Sequence, residues 1–417
     1  MTVDTSGPVR ARTVAIDNPG ELVALLPRRQ GLAWLRRGEG LVAGGEVVRQ
    51  EFDSIAEADA WWEEYAAAVT ADNALPGVFG TGPLAFGSFT FDPGNTRQRS
   101  VLVVPEWILG RRGGQHWLTR VGVSDRAGDD VVTRVPAPES EPARPGQVSY
   151  ADGSMSGPAW ESVVDDAVRR IKAGDLAKVV LARDLLARTP EDIDYRWLVA
   201  QLVAAYRLCW TYHVDGLVGA SPEMLVRREN GLVTSRVLAG TIQRTADEES
   251  DRALAAHLSR SSKDLGEHDY AVQSVADALA PLCSGMNVPD APYVLELPNV
   301  FHLATDVAAA AKPNVSSLTL ATALHPSAAV CGTPTDSARE LIRELEGLDR
   351  GRYSGPVGWV DAQGDGEWAI ALRCGRIEGN TAQLYAGCGV VADSNPEAEL
   401  MESMAKLVPM RDALEAG

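Results

Sequence analysis

The chain has 417 residues and a formal net charge of −18; 45% of its residues are apolar and 23% charged. Composition of this kind supplies a large buried core, and so acidic a surface repels phosphate backbones and anionic bilayers, so neither nucleic acid nor membrane is an expected partner. An anionic substrate would need a local cation in such a protein, either a metal ion or a few placed Arg and Lys side chains.

The N-terminus lacks the apolar run of a secretion signal, and no segment is apolar for long enough to span a bilayer. Five scattered cysteines without CxxC spacing fit a reducing cytoplasm better than a disulfide framework. Short strand-like runs are expected at 32–35, 85–91, 101–104 and 116–123, with a helix over 56–70. A Pro-rich, charged stretch at 136–146 reads as a linker. It divides the chain into 1–150 and 151–417.

Beyond the linker, Trp160, Val163, Val164, Ala167 and Ile171 have helical spacing, and Gly174 supplies a stop. KVVLAR at 178–183 reads as a strand, and Asn230-Gly231 joins strands at 224–228 and 232–237 as a hairpin. Helices are expected at 247–282, 316–324 and 335–346, and Ser394-Asn-Pro-Glu397 opens a last helix as a capping box. Strands and helices mix without strict βαβ alternation. The fold class is therefore α+β, with large antiparallel or mixed sheets.

Two acidic pairs stand out. Glu399 and Glu402 share a face of the last helix with Lys406, and Asp264 and Glu267 are one turn apart in KDLGEH at 263–268. Each pair alone is more often an ordinary solvated face, but two such pairs on two helices could close on one metal with the oxygen donors that Mg²⁺ takes. Gly387-Cys-Gly389, on the strand leading into the last helix, permits close approach of a ligand to backbone. Lys178, at the start of its strand, suits a general base or an edge-strand lysine. Glu223 follows a small-residue turn. His268, His302 and His325 have no metal-ligand spacing, and no nucleophile elbow, phosphate loop or dinucleotide fingerprint is present.

Taken together, KVVLAR at 178–183, SPEMLVR at 221–227, LAGT at 238–241, KDLGEH at 263–268, LHPSAAVCGTP at 324–334, YSGPVGW at 353–359 and the GCGVV strand with its helix through Glu402 resemble the chorismate-utilising enzymes. That family includes isochorismate, salicylate, anthranilate and aminodeoxychorismate synthases. The matching segments fall in family order over about 155–415, and residues 1–150 match loosely, as a weaker part of the same fold. The resemblance implies a sandwich of large sheets with helices outside.

It also implies a site for chorismate. Mg²⁺ on the ring carboxylate would be held by Glu267 and Glu402, supported by Asp264 and Glu399. The enolpyruvyl carboxylate would meet Tyr353, Arg373 and the backbone near Gly387 and Gly389, with Lys406 adding charge near the metal. Gly240, Thr241, His302 and Ala329 would line the ring. Lys178 would activate a water for attack at C2, and Glu223 would protonate the departing C4 hydroxyl. Ammonia-using members carry Gln at the Lys178 position and aminodeoxychorismate synthases a nucleophilic Lys where this chain has Ala239. The resemblance therefore points to isochorismate synthase, a monomer without a glutaminase subunit, serving menaquinone, siderophore or other routes. Salicylate synthase, or a non-catalytic chorismate-binding regulator, is the alternative.

Overall fold

The computed structural model describes residues 9–122, 133–245, 247–297 and 300–416, with the backbone alone for Lys263 and Glu267. Among the described residues the strands form two sheets, one of 13 strands and one of 10, paired antiparallel except where Arg10–Ala15 runs parallel to Thr70–Asn73. Trp34 and Trp117 of the larger sheet and Phe86, Trp359 and Trp368 of the smaller one belong to one buried cluster. Trp34 Nε1 donates across it to Glu367 at 2.7 Å, so the indole N–H is not buried without a partner. A second cluster, with Leu198, Leu202, Leu384, Leu407 and Met410, packs the helices Tyr195–Ala205 and Pro396–Glu415 on the larger sheet.

Strands from both sides of the 136–146 linker share both sheets. Leu32–Arg36 pairs with Trp210–Val214 in the larger sheet, and Leu84–Ser88 pairs with Pro356–Asp361 in the smaller. The linker is tied down: Ala143 N–H donates to Asp194, and Arg196 donates to Ser140 O.

Local signals account for most elements. Ser156 caps the helix Gly157–Ala173 by accepting from Ala159 N–H, and Gly174 ends it at φ 90°. Its buried face is Trp160, Val164, Ala167, Val168 and Ile171, as the spacing requires. Asn230 and Gly231 take φ 50° and 80°, the left-handed pair that a tight hairpin needs.

Three expectations change. The helix expected over 247–282 is two, Glu248–Leu258 and Ser262–Leu279, because Ser261 accepts from Asp264 N–H and starts a new one. The strand expected to end at 237 continues to Gln243 by pairing with Val300–Ala311. The last helix has no Ser394 capping box. Pro396 occupies its first turn, so Asn395 is the cap, accepting from Ala398 N–H, and Ser394 turns inward. Among the described residues no helix is long and apolar enough to cross a membrane.

Candidate active site

Two of the short links by which the chain passes between the sheets lie at the cavity. Strand Leu217–Ser221 lies in the larger sheet and Met224–Glu229 in the smaller, so Pro222-Glu223 is a crossing point. Gly366–Ile370 and Cys374–Glu378 are related in the same way, which puts Leu372-Arg373 at the second crossing. The crossings adjoin: Ile370 N–H donates to Glu223 O at 3.1 Å. Both Glu223 and Arg373 line a cavity of about 400 Å³.

Strand Lys178–Arg188 brings in the lysine. It pairs with Thr381–Val390 along its length, and Gly332–Thr333 covers its first residues on the other side. Lys178 is thus flanked by strands on both sides, not at a free sheet edge. The paired glycines make room. A methyl group at Gly389 would lie 2.9 Å from Lys178 Cε, and one at Gly387 would lie 2.9 Å from Tyr353 Oη. This close approach is what Gly387 and Gly389 permit.

The same cavity is lined by Gly240, Thr241, Asp264, His302, Ala329, Tyr353, Glu399, Glu402 and Lys406. Of the residues singled out in the sequence, only the Glu267 side chain lies outside the described residues; its backbone is on the helix Ser262–Leu279 that carries Asp264. Gly240, at φ 79°, forms a bulge: Ala239 faces Leu303, but Thr241 faces His302. That shift sets Thr241 Oγ1 2.8 Å from His302 Nδ1, while His302 Nε2 is buried without a hydrogen-bond partner among the described residues. His268 and His325 are structural. His268 bonds Thr305 Oγ1 at 2.7 Å and Ala239 O, fixing the helix beside the bulge, and His325 Nε2 bonds Phe91 O.

Charge states follow from burial. Burial pushes the Glu223 carboxyl up to about 8, against the opposing pull of Arg373, Lys178 and Lys406, so it carries a proton at neutral pH. Burial also pushes the Tyr353 phenol up to about 12 and the His302 imidazole down to about 3, leaving both neutral. Tyr353 is stacked on Tyr385 with centroids 5.0 Å apart, which fixes the phenol over Gly387.

The other end of the cavity is acidic. Lys406 Nζ lies 2.6 Å from Glu402 Oε1 and donates to Gly387 O at 2.8 Å. Burial disfavours the Glu402 carboxylate, but Lys406, Arg373 and Lys178 outweigh it and hold its pKa below the usual range. Ligand atoms of Cys388, Glu399 and Glu402 all lie within 4.8 Å of one another. Two carboxylates at that spacing, with Asp264 on the facing helix, are the hard oxygen donors a divalent cation takes, so the residues fit such an ion.

Other supports were not legible as motifs. Ser394 Oγ donates to Glu399 Oε1 at 2.7 Å and holds that carboxylate toward the cavity. Cys388 sits behind it. Beneath the lysine strand, Arg350 and Glu346 form a buried bidentate pair at 2.6–2.7 Å. Glu346 accepts from Ala182 N–H, and Arg350 donates to Val180 O and Val330 O, joining the Lys178 strand to the loop that carries Ala329. Removing one partner of such a pair costs about 3–5 kcal/mol. Its i, i+4 spacing was the available signal, but it falls at the end of the helix Thr335–Leu345, where such pairs are usually exposed.

A protonated buried carboxyl, a lysine and an arginine share one cavity with an acidic helix end, as in an enzyme for a small anionic substrate. The chain belongs to the chorismate-binding enzyme family, whose pattern matches residues 34–415. It is 38% identical over 344 residues to the isochorismate synthase DhbC of Bacillus subtilis, covering 80% of this chain and 81% of that protein. It is 33% identical over 360 residues to the isochorismate synthase MenF of the same organism, covering 80% and 75%. The crystal structure of DhbC from Bacillus anthracis superposes with a TM-score of 0.77 at 32% identity, over 95% of this chain and 99% of that one.

Proposed function

We propose that this chain is an isochorismate synthase, converting chorismate to isochorismate by adding water at ring C2 with loss of the C4 hydroxyl. The observation that carries the reading is the joint placement of Lys178 and a protonated Glu223 in one cavity. Lys178 takes a proton from the attacking water, and Glu223 gives its proton to the departing hydroxyl; one base and one acid with environments that separate their roles suffice.

Arg373 and Tyr353, beside the Gly387–Gly389 backbone, hold the enolpyruvyl carboxylate by charge-assisted hydrogen bonds. Glu399 and Glu402, with Asp264 and Glu267 from the facing helix, are the residues to hold Mg²⁺. Bound there, the ion supplies positive charge for the ring carboxylate and polarises the ring. Lys406 adds charge at that end. Gly240, Thr241, His302 and Ala329 shape the ring's berth. All five cysteines are free and buried, which supports work in a reducing cytoplasm. We take the active unit to be a monomer without a glutaminase subunit.

The test is to incubate purified protein with chorismate, with and without Mg²⁺, and separate products over time. Isochorismate that forms only with Mg²⁺ is the expected result. Salicylate and pyruvate growing in proportion to enzyme would move the chain to salicylate synthase. Bound but unreacted chorismate would make it a non-catalytic binder.

A further inference from the structure

Lys178 borders a second hollow. An alcove of about 450 Å³ adjoins the active-site cavity and shares with it Lys178, Ala239, Ala329, Val391 and Asp393. Its remaining wall is mostly small: Ala177, Gly266, Ala271, Ala328 and Ala392, with Thr333 and a largely exposed Tyr270. Among the described residues, none of those assigned above to the metal or to the enolpyruvyl carboxylate lines it. The alcove therefore reaches the lysine without passing the groups that hold the substrate's charges.

Resting on the isochorismate synthase reading, we propose that this alcove is the antechamber of the nucleophile, and that it passes small neutral alcohols as well as water to Lys178. Its shape decides this. Water in an alcove walled by methyl groups finds few hydrogen-bond partners, so the site has little means of preferring water over a molecule that adds one methyl group. Apart from Lys178, the polar side chains on its described wall are Tyr270, Thr333 and Asp393, so size, set by alanine and glycine, is the main filter. With methanol, Lys178 takes the hydroxyl proton and the methoxy oxygen bonds to C2. The ring double bond shifts, the C4–O bond breaks, and the hydroxyl leaves as water with the Glu223 proton. Chorismate and methanol give the 2-O-methyl ether of isochorismate and one water, with no change of oxidation state.

The experiment is turnover of chorismate with Mg²⁺ in graded methanol, at concentrations that leave total turnover intact, with products resolved by mass spectrometry. A product one CH₂ heavier than isochorismate should appear, and its ratio to isochorismate should rise linearly with methanol. Gly266→Leu and Ala271→Leu narrow the alcove at positions to which no role in the active site is assigned. A Cβ at Gly266 would meet no atom within 4 Å, so this variant should fold. Both should lower the ether-to-isochorismate ratio by roughly 10-fold, as expected when a methyl group loses its space, with the KM for chorismate unchanged. Isochorismate without the ether, or an equal ratio in the filled variants, would overturn the antechamber and leave the synthase reading standing. A raised KM with an unchanged ratio would make the alcove the substrate's door instead. Absence of both products would overturn the synthase reading and the antechamber with it.

Discussion

The two ends of the cavity are built differently. Lys178, Glu223 and Arg373 stand on strands or at the crossings between sheets, where backbone pairing fixes their positions. Asp264, Glu399, Glu402 and Lys406 stand on helices, and Glu402 is still 42% exposed. The strand end is closely packed on one side, because Gly387 and Gly389 lie against Tyr353 and Lys178. The helix end is adjusted by side chains: Ser394 on Glu399 and Lys406 on Glu402. The difference teaches a division of labour. On the proposed assignment, proton transfer, which demands fixed geometry, falls to the sheets, and cation binding, which tolerates adjustment, falls to the helix faces.

The largest expected effect separates the ends. Lys178→Ala should lower kcat by about 10²–10⁴-fold, the usual worth of a positioned base, while calorimetry still shows Mg²⁺-dependent chorismate binding. Equal loss of binding would erase the distinction. Glu402→Gln should act in the opposite sense, raising the Mg²⁺ needed for half-maximal rate by at least ~10-fold, a change of about 1.4 kcal/mol. Ser394→Ala should shift the same Mg²⁺ titration by roughly 10-fold, since groups that orient metal ligands matter nearly as much as the ligands. An unchanged titration would remove Ser394 from the helix end.

Thermal stability carries the smallest effect, through Glu223. Its pKa of about 8 in the folded chain exceeds the ordinary 4.5, so the unfolded chain releases this proton first as pH rises. Its contribution to stability is fully present below pH 4.5 and is lost as pH climbs to about 8. Glu223→Gln should therefore melt at a higher temperature than the parent at pH 8, while the two agree more closely at pH 5. Its activity should be lost at both. In the parent, kcat should fall above about pH 8 as the acid ionises.

The helix end was the more legible in sequence. Glu399, Glu402 and Lys406 share a helix face by spacing alone, and the glycines at 387 and 389 announce a close approach. At the strand end Lys178 was readable as a base or an edge lysine, but its meeting with Glu223 and Arg373 in one site came only through resemblance. Nothing local in Pro222-Glu223 or Leu372-Arg373 says that the chain changes sheets there. Lys178 reaches its place because Lys178–Arg188 pairs with Thr381–Val390, about 200 residues away. The Arg350–Glu346 pair had its i, i+4 spacing as a signal, but its clamping role did not show, because its partners Val180, Ala182 and Val330 are distant in sequence. The Ser394 capping box failed through local competition, since Pro396 gave the cap to Asn395 and freed Ser394 for Glu399.

The most direct test is an early time point of the reaction in ¹⁸O-labelled water with Mg²⁺ present. If Lys178 delivers water to C2, the isochorismate formed first carries ¹⁸O in its C2 hydroxyl and the remaining chorismate stays unlabelled. Isochorismate formed at the same rate without ¹⁸O would contradict it, because the hydroxyl would then have moved within the substrate and the lysine would have no water to activate.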